Sequence, residues 1–279
     1  MSQHKNFLDS MGMSEEEFDE VFFADDATTH PKAPTHADDA DPLVTPNLVN
    51  KRPGQLRTRG EITLHTRIAH RLFYGRRKDE KKGTKPITGL VRFAQNMNHI
   101  SELASCDDPY ADAVILQVEQ TLTEVESLLK AHVMALEDLL SGSEDIRITV
   151  HDSVDPIIVP LEFKTTFGFL AAKILSRYDK LVRLAQSAKH VGLFFEEDWG
   201  RVVRKSGRAI RHAFQLSSSY RFAGASRGDF AVQNAIAQSA VEKYGALPQA
   251  ILEGSKRGKF APPIVHKTRP SAPKPSNKQ

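Results

Sequence analysis

The sequence predicts an α+β fold that is mostly helical. Three observations carry this. Long stretches repeat apolar residues at helical spacing, short segments near residues 55–65 and 145–164 alternate apolar and polar residues, and polar, proline-rich segments of opposite charge flank both ends. The 279 residues with 40% apolar content suit one large domain or two small ones, with a real core. The expected organisation is an acidic disordered arm over 1–50, a folded domain over 51–245 and a basic flexible tail over 246–279.

Residues 1–50 hold eleven Asp and Glu against two Lys, and Pro31, Pro34, Pro42 and Pro46 stand among acids and small residues. Such a segment cannot bury enough apolar surface to order itself. Within it, Ser14 and Glu17 have the spacing of a capping box ahead of Phe18, Val21, Phe22 and Phe23. This is either a solvated tail or a docking motif.

Gln55–His65 alternates as a strand. Leu56, Ile62 and Leu64 share the apolar face; Arg57, Arg59, Glu61, Thr63 and His65 share the polar one. A helix over 66–76 follows, with Ile68, Leu72 and Phe73 on one side and Arg67, Arg71 and Arg76 on the other. Gly75–Gly83 is a basic loop, and Pro86 opens a second helix whose Leu90, Phe93, Met97 and Ile100 recur at helical spacing. Asp107-Asp108-Pro109 is a helix start, a carboxylate cap with proline in the first turn. That helix runs to about Leu140, with Val114, Leu122, Val125, Leu129, Val133 and Leu136 on its buried stripe.

Asp145–Lys164 reads as a hairpin. Ile146, Ile148 and Val150 alternate with Arg147, Thr149 and His151; Ile157, Val159, Leu161 and Phe163 alternate with Pro160, Glu162 and Lys164. Proline in the second run makes it an edge strand. Thr165 or Thr166 caps a long helix to Lys189, and Asp198 caps another to Phe214. The latter puts Arg201, Arg204, Lys205, Arg208, Arg211 and His212 on one face, and no acid occurs from Trp199 to Gly228. Ordinary exposed helices interleave both signs, so a single-sign stripe needs a reason. A last helix spans Asp229–Tyr244, and the tail adds seven Lys and Arg with no acid from residue 254 on.

Composition excludes several classes. One cysteine, Cys106, allows no intrachain disulfide and no cysteine-rich zinc module. No apolar run approaches the roughly 20 residues that span a bilayer, and no apolar stretch of a secretory signal follows Met1; the expected setting is cytoplasmic, without a membrane partner. Phosphate-binding glycine loops and nucleophile elbows are missing, and His65 and His70 are poorly spaced for a metal. Asp107, Asp108 and Asp112 could serve a metal nuclease, but capping explains the first two. Neither catalysis nor any cofactor or metal is expected.

What remains is positive charge with geometry. The net charge of +3 hides segregation: residues 51–85 place twelve Lys and Arg against three acids. A strand with arginines on one face, followed by a helix, suits a β-ribbon in a DNA major groove. The candidate base-reading residues are Arg57, Arg59 and Thr63. The candidate phosphate contacts are Arg67, Arg71, Arg76, Arg77, Lys81, Lys82 and Lys85, the backbone N–H groups of a helix start near Ile87 and Thr88, and the stripe Arg201, Arg204, Lys205, Arg208 and Arg211.

Three sets of residues carry a family resemblance. The first is Leu56–Thr66 with Arg71–Arg76 and Asp107-Asp108-Pro109-Tyr110-Ala111-Asp112. The second is Tyr178-Asp179-Lys180-Leu181-Val182-Arg183 with His190–Leu193. The third is Arg208–Phe214 with Tyr220-Arg221 and Arg227-Gly228-Asp229. In this order they resemble the AcaB family of regulators of conjugative plasmids and integrating conjugative elements, over roughly residues 50–245. The resemblance implies a DNA-binding transcriptional activator of conjugative-transfer genes, with a ribbon-helix-helix element embedded in a larger helical domain and an intertwined homodimer. It implies promoter DNA and a second copy as partners, RNA polymerase as a further candidate, and association with the nucleoid or plasmid. It does not say whether strand 55–65 or the hairpin strands at 146–151 and 157–164 form the ribbon. The outward face of 157–164 suits DNA poorly; Arg147, Thr149 and His151 on the preceding strand would suit it better, but that strand leads into a hairpin, which favours 55–65. The alternative function is a nonspecific DNA-binding or adaptor protein of the conjugation apparatus.

Overall fold

The computed structural model describes residues 60–76, 86–142 and 149–265. The acidic arm, Arg57 and Arg59, the loop from Arg77 to Lys85, Ile146–Ile148 and the tail from residue 266 lie outside the described residues. The described part is mostly helical, with two small antiparallel sheets.

Strand β1, Gly60–Leu64, buries Ile62 and Leu64 and exposes Glu61 and Thr63, the alternation its sequence calls for. Thr66 caps helix α1, Arg67–Tyr74, its hydroxyl accepting from the Ala69 N–H at 3.2 Å. Strand β2, Gly75–Arg76, then pairs antiparallel with strand β3, Ile87–Thr88. A β-carbon at Gly89 would lie 2.2 Å from the Gly75 nitrogen, so the two backbones meet where no side chain fits. This pairing withdraws Ile87 and Thr88 from the expected helix. Helix α2 therefore runs Leu90–Ser105 behind Gly89.

Helix α3, Pro109–Ser141, has 33 residues and is about 50 Å long. Asp108 caps it as expected, one carboxylate oxygen accepting from the N–H groups of Tyr110 at 2.9 Å and Ala111 at 3.2 Å. Its stripe holds from Leu122 to Leu140, while Ile115 and Val118 are buried near its start and Val114 is only half-buried.

Strand β4, Ile157–Leu161, corrects the expected hairpin. It pairs antiparallel with β1, Ile62 opposite Val159 and Glu61 opposite Pro160. Residues 149–152 form no strand; His151 is held instead by Ser187, whose hydroxyl accepts from the His151 N–H at 2.8 Å.

Helix α4, Thr166–His190, starts after Thr165, whose side chain makes no capping bond. Helix α5, Glu196–Leu216, starts before Asp198, which sits with Glu196 and Glu197 in the first turn, where the helix dipole favours carboxylates. The last expected helix is divided into α6, Arg227–Ala231, and α7, Ala235–Tyr244. Gln233 takes a positive φ of 50° between them, and the Asn234 side chain caps α7 at 3.0 Å. Helix α8, Gln249–Leu252, follows.

Helices α2 to α5 pack together around Phe93, Phe167, Leu175, Tyr178 and Phe214, all fully buried. The Phe93 and Phe214 rings stack at 5.0 Å. Tyr178 donates its hydroxyl to the Val203 carbonyl at 3.1 Å, and burial pushes its pKa well above the ordinary tyrosine value. A β-carbon at Gly207 would come within 2.7 Å of that hydroxyl, so a glycine lets α5 close on α4.

Chain that was expected to be tail is packed through residue 265. Arg257 pairs with the buried carboxylate of Asp112 at 2.8 Å, the Lys259 N–H donates to Glu119 at 2.7 Å, and the Val265 N–H to the Ser105 carbonyl at 2.8 Å. Asp112 also receives Arg227 at 2.6 Å, and Asp107 receives Arg227 at 2.7 Å. Burial alone would lower the Arg227 pKa, but these hydrogen bonds together outweigh it and raise that pKa above the ordinary arginine value.

Glu126 on α3 ties that helix to α4. Arg177 donates to it at 2.7 Å, and Lys173 and Lys130 lie at 3.4 Å. The Arg177 bond is the main cause that holds the Glu126 carboxyl at about 2. A folded-state pKa below the unfolded one contributes stability that is full above the unfolded value and is lost as pH falls from there through the folded value. Since Glu126 is partly exposed, Glu126→Gln is expected to cost about 1 kcal/mol at pH 7, and urea denaturation should show the gap closing as pH falls from about 4.5 to about 2.

Candidate nucleic-acid interface

The junction between β1 and α1 is built on one carboxylate. Asp179 of α4 is 2% exposed. It accepts from the Thr66 N–H at 2.9 Å, the Thr66 hydroxyl at 2.7 Å and the His65 N–H at 3.2 Å. Thr66 thus accepts from α1 and donates to α4 at once. Arg183, one turn on, lies 3.5 Å from the same carboxylate and pairs with Asp152. His65 accepts from the Ser153 N–H through Nδ1 at 3.3 Å, which ties the 149–156 segment to the same point. The orientation of β1 against α1 is therefore set by α4.

Thr63, proposed as a base-reading residue, is exposed on β1. Arg67 is exposed on α1, Arg71 half-buried, and Arg76 half-buried in β2, where burial lowers its pKa. Arg57, Arg59, Arg77, Lys81, Lys82 and Lys85 lie outside the described residues.

On α5, Arg201 and Lys205 are exposed, and Arg204 and Arg208 are half-buried. Arg201 pairs with Asp198 at 3.2 Å, and the Arg204 guanidinium folds over Gly200. Arg211 departs from the expectation. It is 2% exposed and turned toward Gly207 and Tyr178, so it belongs to the α4–α5 packing and is too deep for a phosphate contact. Position 211 lies one turn beyond Gly207, in phase with the buried face rather than the basic one.

The two basic regions of the sequence meet through polar side chains. Thr88 of β3 donates to Gln215 of α5 at 3.0 Å and lies 3.1 Å from the Ser218 hydroxyl. Asn96 of α2 donates to Ser217 at 3.2 Å and Ser218 at 3.1 Å. The base of the β2–β3 connection, which carries the basic loop sequence, is thereby fastened to the end of the basic helix. The helix start expected at Ile87 and Thr88 moves to Leu90.

The sequence reading missed this polar fastening and Asp179. Asp179 had a signal: it falls in phase with Leu175, Tyr178 and Val182 on an apolar stripe, where a carboxylate must be collecting buried donors. The fastening residues had none, since they lie more than 120 positions apart. Asp107, Asp108 and Asp112 are each committed to caps and arginines. Among the described residues, no group of three or more His, Cys, Asp or Glu could hold a metal ion, and no helix is long and apolar enough to cross a membrane.

The described residues thus hold a strand, two helices separated by the short β2–β3 pair, and a basic helix fastened beside them. The family model of the transcriptional regulator AcaB matches residues 52–265, and the chain belongs to that family. Among solved structures, it is similar to the crystal structure of selenomethionine-containing AcaB from uropathogenic E. coli, with 11% identity and a TM-score of 0.49 over 71% of this chain and 98% of that one. No curated protein sequence matches.

Asp179→Ala is expected to cost about 3 kcal/mol, since charged hydrogen bonds are lost and two backbone donors are left unpaired. Urea denaturation measures the loss, and amide exchange should show the Thr66 N–H opening early.

Proposed function

We propose that this protein is a sequence-specific DNA-binding activator of conjugative-transfer genes. It acts as an intertwined homodimer, and a ribbon-helix-helix element formed by β1, α1 and α2 reads the major groove. Membership of a transcription-regulator family supports the regulatory role. The observation that carries the reading is β1 itself. Glu61 and Thr63 face solvent while Ile62 and Leu64 are buried, and Arg57 and Arg59 share the phase of the solvent-facing pair in the sequence.

Residues alternating on a strand project at intervals of roughly 6.6–6.8 Å. Arginine can pair bidentately with guanine O6 and N7, and threonine can offer a hydroxyl or a methyl to a base edge. Arg67, Arg71, Arg76, Arg77, Lys81, Lys82 and Lys85 then serve as phosphate contacts, with Arg201, Arg204, Lys205 and Arg208 on the second basic element. These fix the register on the duplex but carry no sequence information. Activation further asks for a contact with RNA polymerase at the bound promoter.

The rival ribbon is disfavoured by its chemistry. The exposed side chains of β4 are Ile157, Ile158 and Pro160, which offer no donor to a base edge.

The test is DNA binding with a competitor control. Arg57→Ala and Arg59→Ala should each remove most preference for the promoter site while leaving the folded dimer, read by anisotropy titration and sedimentation. Arg204→Ala or Arg208→Ala should weaken specific and unrelated duplexes alike and reduce the salt slope by about 1. Equal affinity of the native protein for unrelated duplexes would replace this reading with a nonspecific DNA-binding or adaptor role.

A further inference from the structure

Helix α1 turns one face outward, and that face combines cations with an aromatic ring. Arg67, His70, Arg71 and Tyr74 follow at spacings of three and four along it, while Ala69, Leu72 and Phe73 are buried on the opposite side. No acid occurs on the helix. Like charges one turn apart destabilise a helix, so Arg67 beside Arg71 calls for an anion nearby.

Tyr74 is 54% exposed, and it is held in place. Its ring centre lies 4.9 Å from that of His70 and 4.9 Å from that of Phe73. The Gly75 N–H donates to the Arg71 carbonyl and closes the helix directly after it. A β-carbon at Gly89 would lie 2.4 Å from the Tyr74 carbonyl carbon, so the start of α2 backs onto the same point. An exposed aromatic on a fixed backbone loses little freedom when it binds. The helix itself is aimed by the junction that aims β1, since Thr66 caps α1 and binds Asp179.

The Tyr74 hydroxyl is the exception among the five tyrosines of the chain. Tyr110 donates to the Gly245 carbonyl at 2.7 Å and Tyr178 to the Val203 carbonyl at 3.1 Å. Tyr220 donates to Asp108 at 2.7 Å and Tyr244 to the Phe222 carbonyl at 3.4 Å. Among the described residues, nothing takes the Tyr74 hydroxyl. A fixed phenol on a face whose other polar side chains are all basic is a neutral donor set beside an anion site.

We propose that the Tyr74 hydroxyl donates a hydrogen bond to a backbone phosphate of the bound duplex, next to the phosphate contact of Arg71. This rests on the DNA-binding reading above and adds to it a contact of a different kind. Tyr74 lies three residues beyond Arg71, about 4.5 Å further along the helix axis. A DNA strand carries one phosphate per about 3.4 Å of its axis, so two donors at this spacing meet acceptors in succession. Arginine there supplies charge, and the phenol supplies direction. Because the phenol is neutral, its contact adds affinity without releasing a counterion.

The experiment uses the full-length chain with Tyr74→Phe, which removes the hydroxyl and keeps the ring against His70 and Phe73. Anisotropy titration should show promoter and unrelated duplexes weakened alike, by about fivefold, with the salt slope unchanged. Arg71→Ala, run beside it, should lower that slope by about 1. Promoter duplexes with a single neutral methylphosphonate, moved one position at a time, locate the contact. At one position the native protein should lose affinity that Tyr74→Phe no longer loses. Undiminished binding by Tyr74→Phe, a loss confined to the promoter, a changed salt slope, or a lower oligomeric state in sedimentation overturns the proposal; the last result would give Tyr74 to a contact between protein chains. The two readings separate. Promoter preference in the native protein with no effect of Tyr74→Phe sinks the phosphate contact and keeps the regulator. Equal weakening of all duplexes by Tyr74→Phe, in a native protein without promoter preference, does the reverse.

Discussion

A carboxylate sealed from water must take its hydrogen bonds from the chain around it, and Asp179 takes them from the two residues that join the strand to its helix. Burying an unpaired carboxylate costs far more than any single contact returns. With Asp179 only 2% exposed, the conformation of His65 and Thr66 is therefore dictated by the position of α4. Everything that faces outward from β1 inherits its direction from this one junction. Thr66 extends the constraint into α1 by capping it with the same hydroxyl that binds Asp179. Arg183 and its partner Asp152 carry it into the 149–156 segment, and β4 follows directly and pairs with β1.

A second set of carboxylates, Asp108 and Asp112 buried and Asp107 half-buried, does for the far end of the core what Asp179 does for the strand. Asp108 caps α3 and accepts from the Tyr220 hydroxyl at 2.7 Å, while Asp107 and Asp112 hold Arg227 and Arg257. The residues after α5 are thus gathered back onto the start of α3. The helix that carries the basic face, α5, is attached at two places: to Tyr178 through Gly207 and Val203 in its middle, and through the Thr88, Gln215 and Ser218 cluster at its end. Such fastening bears on the phosphate contacts proposed for this face, because long cations lose less freedom on binding when their backbone is held in place.

Much of the architecture was legible because it depends on local periodicity. The strand phase at Ile62 and Leu64, the cap at Asp108 and the stripe from Leu122 to Leu140 all follow from spacing and side-chain chemistry within a few residues. The departures share one cause. Ile87 and Thr88 left a helix to pair with β2, β4 left a hairpin to pair with β1, and Arg211 left the basic face for the packing against Tyr178. In each case a partner distant in sequence offered more than the local preference did. The tail after residue 253 has a tail's composition, yet Arg257 finds a buried carboxylate that no inspection of its neighbours could reveal.

The sequence by itself determined the elements and their chemistry: which faces are apolar, where caps fall, and where positive charge is concentrated without acids to balance it. It also carried the family, because the three motif sets keep their order along the chain. Only the tertiary structure decided which motifs touch. Asp112 meets Arg227 and Arg257, Asp179 meets Thr66, and the two strands that competed for the role of ribbon turn out to be each other's partners. The physical reason is that hydrogen bonds and ion pairs between distant residues depend on the packed positions of helices, which periodicity constrains only in phase and never in partner.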